Sequence, residues 1–148
     1  MNESPYLFTQ PDITYRYEFT SVSTQKEIKK VVVLTLTELE NVYNLALLDI
    51  LPDGETTDMV ESKNKDMITV LATVIKIITD FLDKNPKVYV LIQGNDAKRQ
   101  RLYQILINRD FESINKYFKV LGGNDSLIEP FQKNHSYEFF IVSKQTSL

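Results

Sequence analysis

The chain has 148 residues, of which 43% are hydrophobic and 25% charged, enough for one buried core and too few for two ordinary domains. The net charge of -3 at pH 7 shows no positive excess that would favour a nucleic acid or an anionic membrane as partner. The lack of cysteine excludes disulfides, thiol catalysis and cysteine-ligated metals, and His135 is the only histidine. We therefore predict a single domain over residues 1–148 without a metal site.

The first twelve residues mix prolines and polar residues with a few aromatic side chains, a pattern typical of an irregular lead-in. This start has neither a basic stretch followed by apolar residues nor a small-residue cleavage site, so we expect a cytoplasmic protein. From Thr14 onward, Tyr15, Tyr17 and Phe19 alternate with polar residues. This alternation predicts a first strand with one buried face.

Two apolar runs follow, over 29–39 and 42–51, and their short link predicts neighbouring antiparallel strands. Pro52-Asp53-Gly54 predicts a turn after the second run. The polar stretch from there to residue 66 predicts a loop on the outside of the molecule. Residues 67–82 are mostly apolar, with Thr69, Thr73, Lys76 and Asp80 forming one narrow polar stripe at helical spacing. We predict a helix covered on more than one side, by the sheet and by another helix, the aromatic lead-in or a second subunit.

The last part of the chain continues the alternation of helices and strands. Asn85-Pro86 ends the apolar helix, and Gly122 to Asp125 has the composition of a strong turn. Between and after these breaks we predict a strand over 87–92, a helix over 97–108, a short helix over 110–117, a strand over 118–121, a loop over 126–136 and a strand over 137–143. The predicted class is α+β, with a mainly antiparallel sheet in the order β-β-β-α-β-α-β-β and helices packed on it.

Cations at the start of the second helix are the most informative feature for function. Lys98, Arg99 and Arg101 occupy its first turns, where positive charge opposes the helix dipole unless an anion is recruited. A phosphate could be bound by the backbone N–H groups of Asn95, Asp96 and Ala97, with an arginine closing over it. The alternative is a solvated helix face capped by Asp96.

Other candidate residues are weaker. Tyr103 could act as a general acid, although a buried tyrosine is more often a core residue. Asp49 lies in an apolar strand and could form a general base with Glu38 and Glu40, although a solvent-facing position is the simpler interpretation. His135 has no obvious partner in the sequence.

The segment from Val88 to Phe111, together with the element order, resembles the second half of the Gcn5-related N-acetyltransferase fold. The residues that match its motif are Asn95, Ala97, Leu102-Tyr103 and Asp110-Phe111. The resemblance implies acetyl-CoA as cofactor, Asn95 as a contact to its pantetheine arm and Tyr103 as the general acid. Where that family has a glycine-rich pyrophosphate loop, this chain has Ser62 to Asp66.

A second resemblance covers nearly the whole chain. The segments VYNLALLDI, VLATVIKIITDFLDKNP, RLYQILI and YEFFIVSK are similar to those of an uncharacterised family of small bacterial proteins, which implies a domain of unknown function.

These observations leave three hypotheses open. The first is a binding or interaction module for a small anionic ligand or a protein, which needs no cofactor and could form a homodimer. The second is an acyl-CoA-dependent N-acyltransferase. The third is a nucleic-acid-associated protein, which would need six cations on one face: Lys98, Arg99, Arg101, Arg109, Lys116 and Lys119. We expect no membrane partner, and the overall charge disfavours nucleic acid.

Overall fold

The computed structural model of the chain describes residues 14–22, 27–57, 64–94 and 96–145. Within these residues the strands form one eight-stranded sheet, and two helices connect parts of it. The elements are β1 (Thr14–Val22), β2 (Glu27–Leu36), β3 (Val42–Ile50), β4 (Thr56–Thr57), α1 (Asn64–Lys84), β5 (Tyr89–Ile92), α2 (Ala97–Ile114), β6 (Phe118–Asn124), β7 (Leu127–Pro130) and β8 (Phe139–Lys144).

The sheet runs in the order β1-β2-β3-β5-β8-β6-β7, and the two-residue strand β4 pairs with β3 outside this path. All pairings are antiparallel except that of β3 with β5, which α1 connects. Because β8 lies between β5 and β6 and is antiparallel to both, β5 and β6 are also parallel to each other. Both helices therefore connect parallel strands, and both begin at the end of the sheet where β3 and β5 terminate.

The core lies between one face of the sheet and the two helices. Alternate residues of β2 and β3, such as Val32, Leu34, Leu45 and Leu47, are at most 5% exposed and belong to one apolar cluster with α1 and α2. This alternation follows from the two-residue period of a strand. The predicted α+β class, with a mostly antiparallel sheet and helices packed on it, is confirmed.

Helix α1 has the broad buried surface that its sequence predicts. Thr69, Lys76 and Asp80 are exposed, and Thr73 is partly exposed. The rest of the helix contributes Val70, Leu71, Val74, Ile78, Phe81 and Leu82 to the core. The helix contacts α2, β1 and β8, so cover by the sheet and by another helix is confirmed. The lead-in over 1–12 lies outside the described residues.

Helix α2 is continuous where the sequence suggested two helices separated near Arg109. No proline or glycine interrupts the segment, and Phe111 and Ile114 pack against the core in the same helical phase as Leu106 and Ile107. Burial of these side chains favours continuing the helix to Ile114, with Asn115 as its C-cap.

The predicted turn over 122–125 is wrong. Gly122 and Gly123 lie inside β6, and a Cβ on Gly122 would approach Tyr137 Cγ to 2.5 Å. The glycines therefore make room for aromatic rings that cross the strand, and only Asp125 and Ser126 form the turn. The predicted loop over 126–136 is wrong in its first part, since β7 pairs with β6 there.

Candidate functional site

In the part of the chain that the structure describes, the sheet opens between β3 and β5. Only Val42, Tyr43 and Asn44 of β3 pair with β5, which ends at Ile92 while β3 continues to Ile50. Strand β4 pairs with β3 only at Asp49 and Ile50. Among the described residues, no strand therefore lies beside residues 45–48 of β3 on this side. Ligands of open sheets with parallel strands bind beyond the carboxyl ends of those strands.

The chain enters α2 at this same end through a tightly packed connection. A Cβ on Gly94 would lie 2.5 Å from the backbone nitrogen of Gln100, so this position requires glycine. The Gly94 N–H donates to Gln100 Oε1 at 2.8 Å, and Gln100 Nε2 donates to the Tyr137 carbonyl at 3.0 Å. Gln100 therefore holds the start of the helix against both β5 and the segment before β8. The predicted ligand-contacting residue Asn95 lies outside the described residues.

Asp96 caps α2 as the sequence predicts. Its backbone is extended, and its carboxylate accepts a hydrogen bond from the Arg99 N–H at 2.7 Å. A carboxylate at this position already complements the positive end of the helix dipole. Ala97 and Lys98 are exposed beside it. Any anion at this terminus must therefore gain most of its binding energy from a side chain.

Arg99 differs from its two cationic neighbours in being buried. It is 7% exposed, whereas Lys98 and Arg101 are exposed. Residues two positions apart on a helix point in widely different directions, so the structure does not bring the three cations together. The buried Arg99 Nε has no hydrogen-bond partner, and the guanidinium forms no hydrogen bond or ion pair with any residue that the structure describes.

Tyr103 lies one turn after Arg99 and is 1% exposed. Within the described part of the chain, its hydroxyl has no hydrogen-bond partner. Burial raises the pKa of this hydroxyl above its ordinary value, and the positive charge of Arg99 opposes that rise. The group therefore stays protonated at neutral pH and can donate a hydrogen bond.

An ion pair is buried on the core face at the carboxyl end of β3. Lys30 Nζ donates to Asp49 Oδ1 at 2.7 Å, and the two residues are directly opposite each other in the β2–β3 register. Their side chains are 0% and 6% exposed. Glu38 and Glu40 are exposed and precede β3 at its other end, so the structure does not bring them to Asp49. Lys30 was not predicted as part of a site, because only the β2–β3 register shows that it lies opposite Asp49.

A second polar cluster, which we call the Glu129 cluster, was also missed. Glu129 Oε2 accepts a hydrogen bond from the Tyr137 hydroxyl at 2.5 Å and lies 2.9 Å from His135 Nδ1. These contacts lower the pKa of Glu129. Burial and the contact with Glu129 raise the pKa of Tyr137. Gln104 Nε2 donates to the His135 carbonyl at 2.8 Å. The spacing of Glu129 and His135 in a segment predicted as a loop gave no signal of this contact.

A groove lies at the opposite end of the helices from Arg99. It measures about 750 Å³ and is lined by Thr79, Asp83, Asp110, Ser113, Ile114, Tyr117 and Phe118. Both aspartates already have basic neighbours, since Asp83 contacts Lys144 at 3.1 Å and Asp110 contacts Arg109 at 3.1 Å. The described side chains that line this groove therefore do not indicate whether a ligand there would be charged.

The described ranges contain no group of three or more histidines or acidic residues placed to hold a metal ion. They also contain no helix with the length and apolar character needed to cross a bilayer.

Comparison with known proteins adds a family but no activity. The chain belongs to DUF6934, a family of unknown function whose sequence profile matches residues 2–145. Neither the curated proteins nor the solved structures contain a match.

Proposed function

Since membership of that family assigns no activity, we propose from the site itself that the chain is a cytoplasmic binding module for a small anionic ligand. The ligand binds at the start of α2, beyond the carboxyl end of β5, and Arg99 supplies the compensating charge. The observation that carries this proposal is the unpartnered guanidinium of Arg99 at 7% exposure.

A buried charge without a partner lowers the stability of a protein. Arginine stays ionised at every physiological pH, and burying an ionised group without a partner costs several kcal/mol. A protein can retain such a group where a bound ligand supplies the counter-charge, because the group is then needed for function although it lowers the stability of the ligand-free protein. Asp96 accepts a hydrogen bond from the Arg99 backbone N–H and forms no ion pair with the Arg99 side chain.

The test compares two arginines on the same turns of α2. Arg99→Met removes the buried cation, and Arg101→Met removes an exposed one. Thermal unfolding is measured with inorganic phosphate, coenzyme A, acetyl-CoA, nucleotides and short oligonucleotides. A ligand at one hundred times its dissociation constant stabilises by about 2.7 kcal/mol.

We expect wild type and Arg101→Met to be stabilised by the same ligand and Arg99→Met not to respond. Without ligand, we expect Arg99→Met to be at least as stable as wild type, because the substitution removes an uncompensated charge. A response of Arg99→Met equal to that of wild type would contradict the proposal.

A second candidate is the acyl-CoA-dependent N-acyltransferase, which the opening between β3 and β5 favours. The placement of β8 between β5 and β6, and the parallel pairing of β3 with β5 over three residues only, support an acetyltransferase-like topology. A pantetheine arm could enter beside residues 45–48 of β3, with the Tyr103 hydroxyl as proton donor to the leaving thiolate.

The acyltransferase proposal makes a separate demand. Acetyl-CoA must stabilise the protein more than inorganic phosphate does, and a free thiol must appear when an amine acceptor is added. Thiol release that is unchanged in Tyr103→Phe would contradict the role of Tyr103. Stabilisation by phosphate alone would favour the binding module.

A further inference from the structure

We propose that the group bound at Arg99 is a single carboxylate, held by the Arg99 guanidinium and by the Tyr103 hydroxyl, and therefore that the ligand is a small monocarboxylic acid. This inference rests on the proposed anion-binding function and names the class of ligand for it. Two donors without a described partner support it, the Arg99 guanidinium and the Tyr103 hydroxyl. These residues are four positions apart in α2 and therefore lie on one helix face.

Charge balance selects a carboxylate over a phosphate. Among the described residues, Arg99 is the one buried positive charge at this site that lacks a counter-charge, because Lys98 and Arg101 are exposed and Lys30 is paired with Asp49. A phosphate monoester has a charge of about -1.5 to -2 at pH 7, which would leave a buried negative charge without a partner. A carboxylate has one charge and leaves none.

Donor geometry agrees with this assignment. The guanidinium is a planar fork that donates two parallel hydrogen bonds to the two oxygens of a carboxylate. Each carboxylate oxygen can accept a second hydrogen bond, and the Tyr103 hydroxyl is the neighbouring neutral donor. The protonated state of Tyr103 at neutral pH is supported by its burial.

Burial also limits the size and polarity of the ligand. Tyr103, Leu106 and Ile107 are at most 3% exposed on the same helix, and the core-facing side chains on the open part of β3 are Leu45 and Leu47. Leu106 and Ile107 follow Arg99 on the same face of α2, so a ligand whose charge is paired with Arg99 meets apolar side chains there. We therefore infer a short aliphatic or aromatic body rather than a sugar or a nucleotide.

The experiment measures thermal unfolding and calorimetric binding of sodium acetate, butyrate and benzoate. Sodium phosphate, coenzyme A and sodium chloride at equal ionic strength are the comparison ligands. The variants are Arg99→Met, Arg99→Lys and Tyr103→Phe, with Arg101→Met as the matched control. Circular dichroism checks that each variant folds, and Arg99→Lys retains the charge if Arg99→Met does not fold.

We expect butyrate or benzoate to stabilise wild type and Arg101→Met, with no response to chloride. Affinity should fall roughly tenfold in Tyr103→Phe, which loses one hydrogen bond. It should fall further in Arg99→Lys, which loses the planar fork, and Arg99→Met should show no binding.

The other outcomes separate this inference from the proposed function. Stabilisation by phosphate or coenzyme A but by no monocarboxylate would overturn the carboxylate assignment and leave the anion-binding function standing. No response of wild type to any anion above the chloride control would overturn both. Carboxylate binding that survives in Arg99→Met or is unchanged in Tyr103→Phe would overturn the assignment of these residues.

Discussion

Three charged side chains in this protein differ in their burial and in the groups that they contact. Arg99 is buried without a counter-charge from the described residues, whereas the buried Lys30 is paired with Asp49. The carboxylate of Glu129 remains partly accessible and is held by hydrogen bonds. These three cases differ in how each charge is compensated, so each can be tested by substitution.

Removing one member of the buried pair Lys30–Asp49 should lower the free energy of unfolding strongly, whereas replacing both members by apolar residues should lower it much less. Asp49→Asn removes the carboxylate that lies 2.7 Å from the buried Lys30 ammonium, and we expect a loss of about 3 to 5 kcal/mol in the free energy of unfolding. The double variant Lys30→Met/Asp49→Leu should recover most of this loss, because neither charge then remains. Urea denaturation measures both.

The exposed pair Asp80–Lys84, with an N–O distance of 3.2 Å, is the matched control. Asp80→Asn should change the free energy of unfolding by less than about 1 kcal/mol, since surface ion pairs contribute little. Equal effects at Asp49 and Asp80 would show that burial of the Lys30–Asp49 pair is not what matters.

Glu129 should contribute a pH-dependent part of the stability. Its contacts with Tyr137 and His135 lower its pKa below the ordinary value of 4.5. A depressed carboxyl pKa gives stability that is present above the unfolded-state value and is lost as pH falls through the folded-state value. We therefore expect the melting temperature of wild type to fall below about pH 4.5 more steeply than that of Glu129→Gln.

Glu138→Gln, an exposed position beside Tyr137, serves as the control for the pH series. It should follow the wild-type melting curve from pH 6 to pH 3. Parallel curves for wild type and Glu129→Gln would show that the contacts of Glu129 do not depend on its charge.

At the scale of elements, the last part of the sheet depends on close contact between backbone and aromatic rings. Gly122 and Gly123 allow Tyr137 and Phe139 to lie across β6. Tyr137 also belongs to an aromatic cluster, in which its ring centroid lies 5.6 Å from that of Phe131. This packing explains why a glycine pair occurs inside a strand.

Gly122→Ala should destabilise the protein by about 1 to 3 kcal/mol, because the new methyl group overlaps the Tyr137 ring and forces it to move. Lys119→Ala, on an exposed position of the same strand, should change the stability by less than about 0.5 kcal/mol. Chemical denaturation measures both variants. A neutral Gly122→Ala would mean that the ring has free space beside it.

At the scale of the whole molecule, the described strands form one sheet whose central strands have a partner on each side and whose path ends at β1 and β7. Strands β5 and β8 have a partner on each side, and Val90 and Val142 face each other in their register at 0% and 6% exposure. Strand β7 lies at the edge, and its Ile128 is 54% exposed. Stability should therefore decrease from the centre of the sheet towards this edge.

Native-state hydrogen exchange should show this gradient. The amides of Val90 and Val142 should exchange only on global unfolding, with a free energy equal to that from urea denaturation. Amides of β7 should exchange through local opening at clearly lower free energy. Equal protection of β7 and β5 would indicate that the edge strand is part of the same cooperative unit.

Much of the fold could be predicted because local patterns survive in it. The alternation of Tyr15, Tyr17 and Phe19 gave β1, the polar stripe gave the orientation of α1, and Asp96 gave the start of α2. In each case the pattern depends only on the two-residue or 3.6-residue period of the element itself. The site was predicted only in part, since Arg99 and Tyr103 were named but the burial of Arg99 was not foreseen.

The sequence by itself determined the α+β class, the faces of β1 and α1 and the cap of α2, because these follow from short-range periodicity and capping chemistry. Only the tertiary structure decided that Lys30 meets Asp49, that Gly122 lies under Tyr137 and that Arg99 is enclosed while Arg101 is exposed. These outcomes depend on the register and packing of segments far apart in the chain, and the period of a single element contains no information about them.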